Sequence, residues 1–232
     1  VDSKVPTDLR TALAKSNGDL KPLGDLAKKA PASAHVPLKG LKYLQPVGNP
    51  GKILCVGVNY VAHRSETGRS ESKYPVIFTR FANSQIGHLG TILRPPESTA
   101  LDYEGELAVA IGRGGRRIAE ADTMSHIAGY TLFNDCTVRD YQFRVTQYTS
   151  GKNFDASGPL GPYVVTADEV GKTGRGVDEG QDAISEAKGG TFSRAAVVQH
   201  GGSGFQGGRY LASGVAQGSA TSAERLGSLS VG

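Results

Sequence analysis

A chain of 232 residues is long enough to bury a core of its own, and it suits one domain with an accessory segment or two small domains. Tryptophan is absent and glycine numbers 32, which favours turn-rich β structure over a helical bundle. The net charge of +4 suits small anionic ligands and falls well short of the clustered basic stripe of a nucleic-acid binder.

The two cysteines, Cys55 and Cys136, make neither a disulfide framework nor a zinc site, and Cys55 lies in an apolar run where a buried, reduced thiol is expected. No apolar run approaches membrane-spanning length, and no signal-peptide core opens the chain. The expected setting is cytoplasmic, with neither a membrane nor a nucleic acid as partner.

Residues 1–50 read as a small accessory segment. Thr7 and Asp8 cap a predicted helix running through Lys15, with Leu9, Ala12 and Leu13 as its narrow apolar face. A second helix is expected within 19–30, its start constrained by Pro22, and Pro31, Pro37, Pro46 and Pro50 then punctuate an extended approach to the main domain. The segment carries no convergent set of acids, bases or ligands, so it reads as a packing or dimer-facing element.

The apolar run 53–58 (ILCVGV), bounded by glycines, predicts a buried strand. If 60–66 forms a helical turn, His63 and Glu66 share a face at i and i+3. A carboxylate beside an imidazole fixes its tautomer and raises its basicity, which suits a general base acting on water, although taken alone such a spacing more often marks a plain surface pair. The polar stretch 68–74 predicts a mobile loop able to act as a lid. Residues 76–81 predict a strand in which Arg80 is either a solvated edge residue or an anion clamp. Residues 82–100 are a turn-rich connection.

The stretch 101–112 (LDYEGELAVAIG) organises the rest. Side chains alternate along a strand, so Glu104 and Glu106 point the same way. Two carboxylates side by side repel each other unless something neutralises them, and a hard divalent cation does so through oxygen ligands. The glycine-rich 112–117 (GRGGRR) reads as a connection between two strands, since it lacks interleaved aromatics and a P-loop lysine. Residues 123–128 have helical character, and 129–133 predict another strand ending in Asn134 and Asp135. Asp135 is placed either to enter a pocket as a third carboxylate or to serve as a helix cap or turn residue. Lys152 sits in a glycine-flanked loop before a strand at 163–166.

Taken together, KILCVGVNYVAH with Glu66 three residues beyond the histidine, LDYEGELAVAIGR, GYTLFNDCTVRDYQ and GKNFDASGPLGPYVVTADE resemble the fumarylacetoacetate hydrolase family. They resemble its small bacterial acylpyruvase and 2-hydroxyhepta-2,4-diene-1,7-dioate isomerase branch in particular. The resemblance runs from Lys52 to Glu169. It implies a mainly β fold with short helices (α+β), the family's mixed β-sandwich or roll, with residues 51–170 as catalytic core.

By motif match the resemblance implies that Glu104, Glu106 and Asp135 bind Mg²⁺ or Mn²⁺. It implies that His63 and Glu66 activate water, and that Lys152 and Gln142 contact the substrate; Arg80 and Tyr60 are further candidate substrate contacts. The implied reaction is hydrolytic cleavage of a C–C bond in an acylpyruvate or related 1,3-diketo or 2-oxo acid, through a metal-stabilised enolate. Decarboxylation of an oxo acid or isomerisation of a dienol diacid on the same site is the alternative. A small anionic oxo acid and a second copy of the chain are the expected partners. An inactive homologue with a vestigial metal site is the reading of another class.

After Glu169 the character changes. Residues 171–232 form an atypical glycine-rich tail, read as divergent, out of frame or poorly ordered, and the fold is expected to be incomplete there.

Overall fold

The computed structural model describes residues 6–57, 74–173 and 195–199. Helix α1 (Leu9–Lys15) starts where expected: the Asp8 side chain accepts from the Thr11 N–H at 2.8 Å and from the Thr11 hydroxyl at 2.7 Å, and Ala12 and Leu13 are buried. Helix α2 (Lys21–Lys28) carries Pro22 in its first turn, where the missing N–H costs nothing, and it buries none of its residues. Downstream, the Tyr43 carbonyl passes so close to Gly87 that a Cβ there would sit 2.1 Å from it. The glycine is required by that approach.

The core is a seven-stranded sheet of order β2-β1-β9-β5-β6-β8-β3. Its strands are β1 (Lys52–Gly57), β2 (Val76–Arg80), β3 (Gln85–Gly87), β5 (Gly105–Ile111), β6 (Ile127–Asn134), β8 (Gly158–Thr166) and β9 (Ala195–Gln199). Two short strands, β4 (Leu101–Asp102) and β7 (Thr137–Val138), form a separate antiparallel pair. Helices α3 (Arg139–Gln142), α4 (Thr149–Lys152) and α5 (Ala167–Thr173) complete the described core. The fold is thus mainly β with short helices, as the resemblance implied.

Alternation along the strands divides the interior. Ile53, Cys55, Phe78, Ala108, Phe133 and Leu160 cluster together, while Val56, Val109 and Tyr130 form a second cluster. The antiparallel register of β5 and β6 sets Gly105 opposite Asn134 and Glu106 opposite Phe133. Beyond Gly105 and Asn134 the main ladder gives way to the β4/β7 pair, where Asp102 lies opposite Thr137. The residues at this changeover, Glu104 and Asp135, carry two of the expected carboxylates.

Several elements depart from the expectation. The helical character at 123–128 is a 3-10 turn, Glu120–His126, and β6 begins at Ile127. The strand expected at 163–166 begins at Gly158, because Pro159 and Pro162 hide its start from a periodicity reading. Lys152 ends a helical turn rather than lying in an open loop. The tail also supplies β9, parallel to β1 and antiparallel to β5. An apolar run such as Ala195–Val198 fits a strand paired on both sides, for which strict alternation is the wrong template. Among the described residues, no helix is long and apolar enough to cross a membrane.

Candidate metal centre

Two hydrogen bonds fix the changeover. The Asp135 N–H donates to the Glu104 carbonyl at 2.8 Å, and the Glu104 N–H donates to Asn134 Oδ1 at 3.0 Å. Glu106 follows two residues later on β5, on the same side as Glu104. Glu104, Glu106 and Asp135 are all buried, and each offers an oxygen within 4.8 Å of the others'. The three carboxylates therefore meet as the sequence indicated.

Three cations surround them. Arg80 is buried, with Nη1 2.5 Å from Asp135 Oδ1 and 3.1 Å from the Cys136 carbonyl. Its Nη2 donates to the Ser157 hydroxyl at 2.6 Å and its Nε to the Ser84 hydroxyl at 3.2 Å. Lys152 is fully buried, and its Nζ lies 2.5 Å from Glu104 Oε2 and 2.6 Å from Asp135 Oδ2. Arg139 approaches from the half-exposed side, with Nη1 2.6 Å from Glu104 Oε1 and Nη2 2.7 Å from Asp102 Oδ2.

Glu106 is different. Neither of its oxygens has a hydrogen-bond partner among the described residues. Burial pushes its carboxyl well above the usual glutamate range, and the charges of Asp135 and Glu104 add to the rise. A buried carboxylate without a donor is costly. Its fit is to a hard cation, which Glu104 and Asp135 would help to hold through oxygen. Burial alone would lower the Lys152 ammonium, but Asp135, Glu104 and Glu106 outweigh it and raise it, so the lysine stays charged. Both cysteines are free and buried. Burial, with Asp135 and Glu106 adding, pushes Cys55 up, and burial pushes Cys136 up to about 12, so neither thiol is a ready nucleophile.

The expected substrate contacts fall in different places. Gln142 is buried at the centre's edge, its Oε1 accepting from Arg139 Nη1 at 2.9 Å. Arg80, expected as a substrate contact, instead lies behind Asp135 with protein partners for Nε, Nη1 and Nη2, so it holds a carboxylate of the centre and is not a solvated edge residue. The physical reason is period two: Phe78 and Arg80 both turn inward on β2. Tyr60, His63 and Glu66, with residues 68–73 of the predicted lid, lie outside the described residues. Arg139 was not among the sequence candidates. Its spacing of i, i+3 with Gln142 on a short helix was the available signal.

Residues 52–184 match the family described as fumarylacetoacetate (FAA) hydrolase, C-terminal. A human protein named as a mitochondrial oxaloacetate tautomerase is 43% identical over 137 residues, covering 58% of this chain and 44% of the relative. A Dictyostelium discoideum protein named as a fumarylacetoacetate hydrolase domain-containing protein 2 homolog is 34% identical over 176 residues, covering 73% of this chain and 56% of the relative. A crystal structure from Mycobacterium smegmatis, described as a 5-carboxymethyl-2-hydroxymuconate delta-isomerase, superposes with a TM-score of 0.57 at 26% identity, over 72% of this chain and 73% of that one. The chain spans about half the length of these curated relatives, 44% of one and 56% of the other.

Proposed function

Because this chain belongs to the fumarylacetoacetate hydrolase family, we propose that it is a divalent-metal-dependent enzyme that interconverts the keto and enol forms of a small 2-oxo diacid. The observation that carries the reading is the buried carboxylate triad, with Glu106 left without a donor among the described residues. Glu104, Glu106 and Asp135 would hold the ion, and Mg²⁺ or Mn²⁺ suits three carboxylates. Once bound, such an ion supplies a Lewis acid for a substrate carbonyl oxygen.

The chain's own residues do the rest. Arg80 keeps Asp135 aimed forward by gripping its rear oxygen. Arg139 and Gln142, at the half-exposed edge, offer a cation and an amide where a substrate carboxylate enters. Lys152 contributes a positive charge beside the position where enolate charge develops. The names of the relatives, a tautomerase and an isomerase, support keto–enol chemistry as the first reading. The chain is proposed to assemble as a homodimer, as its family resemblance implies.

Hydrolytic cleavage of an acylpyruvate is the second reading, favoured by the His63–Glu66 spacing. It adds one demand to the first: a base that takes a proton from water as the water attacks the distal carbonyl. An assay panel of oxaloacetate tautomerisation, oxaloacetate decarboxylation and acylpyruvate cleavage, each with Mg²⁺ and with chelator, separates the readings. Metal-dependent tautomerisation that is lost in Glu106→Ala and kept in His63→Ala supports the first. Metal-dependent cleavage lost in both variants supports the second. Metal binding without turnover on the panel removes both in favour of an inactive homologue.

A further inference from the structure

We propose that Lys152 is the centre's internal stand-in cation: in the metal-free protein its ammonium clasps Glu104 and Asp135, and an incoming divalent ion displaces it toward the substrate. The inference rests on the metal reading above and adds a coupling between metal and substrate that the reading does not contain. It begins with how the carboxylate oxygens are shared out. Glu104 Oε1 is held by Arg139 at 2.6 Å and Asp135 Oδ1 by Arg80 at 2.5 Å. Their other oxygens, Glu104 Oε2 and Asp135 Oδ2, both lie on one atom, Lys152 Nζ, at 2.5 and 2.6 Å. The two Glu106 oxygens have no donor among the described residues.

A divalent ion gripped by all three carboxylates competes with the cations already on Glu104 and Asp135, and Nζ is the one that holds an oxygen of each. Two cations on one pair of oxygens repel each other, and in a fully buried site little solvent screens that repulsion. The backbone does not make room. Gly151 abuts Gln142 so closely that a Cβ would lie 2.6 Å from the Gln142 backbone nitrogen, which pins α4 against α3. The flexible four-carbon stem moves instead. The Phe78 ring, 5.2 Å from Nζ, offers the ammonium a favourable face along the way. Released from two carboxylates, the ammonium is free to meet the carboxylate of an oxo acid. Metal and substrate anion then strengthen each other's binding, and by linkage each does so equally.

Mn²⁺ binding to the chelator-stripped full chain, followed by the electron paramagnetic resonance signal of the free ion, tests this. Lys152→Met should bind Mn²⁺ about tenfold or more tighter than the unaltered chain. Its metal-free form should melt lower, and saturating Mn²⁺ should close that gap. Oxalate, a mimic of a 2-oxo acid, should tighten Mn²⁺ binding by the unaltered chain much more than by Lys152→Met. Arg139→Met removes the same unit of charge beside Glu104 without vacating the shared oxygens, so it should tighten binding far less. Unchanged or weaker Mn²⁺ binding in Lys152→Met, or equal tightening in the two variants, overturns the proposal while leaving the metal reading intact. An unaltered chain that binds no Mn²⁺ overturns both. Should Lys152→Met fail to fold, ¹⁵N resonances of the lysine ammonium groups in the unaltered chain decide. A protected ammonium signal that shifts or is lost on adding Mg²⁺ supports displacement, and one unmoved at saturation overturns it.

Discussion

Glu106 and Arg80 belong to the same cluster and fail in opposite ways when disturbed. The folded-state pKa of Glu106 is raised by burial first and by Asp135 and Glu104 next, so metal-free native protein keeps a proton there that the unfolded chain has released. The stabilising contribution is therefore full below the ordinary glutamate range and is lost as pH rises through the raised folded value. Thermal unfolding of chelator-treated protein should show that decline toward neutral pH. Glu106→Gln should flatten it, and saturating Mg²⁺ should offset it by selecting the ionised form. Arg80→Met strips Asp135 of a buried partner and should cost about 3–5 kcal/mol in urea unfolding. Both glutamates were legible from the E-x-E spacing. The placement of Arg80 was legible too, had the inward position of Phe78 been carried two residues on. Arg139 was harder to see, because its partner Asp102 lies 37 residues away and only the β4/β7 pairing brings them together.

Helices α3 and α4 carry Arg139, Gln142 and Lys152, and the contact between them sets the distance from those side chains to the acids. Gly151→Ala inserts a methyl group against the Gln142 backbone and should cost about 1–3 kcal/mol. The same shift carries Lys152 out of line, so Mn²⁺ affinity should change along with stability. A variant that loses stability with unaltered Mn²⁺ affinity would separate the helix contact from the centre. At the other end of the chain, backbone and side-chain bonds from Thr11 hold the Asp8 carboxyl below its usual range, so its contribution is present above that range and fades as pH falls through the lowered value. Asp8→Ala should lower Tm slightly and leave Mn²⁺ binding unchanged. The cap and α1 could be read from sequence because both are local. Only the second half of β8, 163–166, could be read, because the prolines at 159 and 162 argue against a strand and pairing with β3 and β6 overrides them.

At the scale of the molecule, β9 lies between β1 and β5, so it joins the β1/β2 pair to β5, which bears Glu106, and to β6, whose end Asp135 follows. Val197 is opposite Leu54 on one side and Val109 on the other. A proline there removes a ladder donor from an interior strand, and Val197→Pro should sharply lower the urea midpoint. An unchanged midpoint would count against β9 as a member of the sheet. Nothing in the glycine-rich composition of the tail marked this strand, since its pairing is set by neighbours more than 80 positions away in sequence. The position of β9 has a further consequence during vectorial synthesis. Arg80, the three acids and Lys152 leave the ribosome before residues 195–199 do, so among the described strands the β1/β2 and β5/β6 pairs emerge before the strand that makes them one sheet. Until that strand arrives, the Arg80–Asp135 ion pair has to bridge two groups of strands whose ladder is not yet continuous.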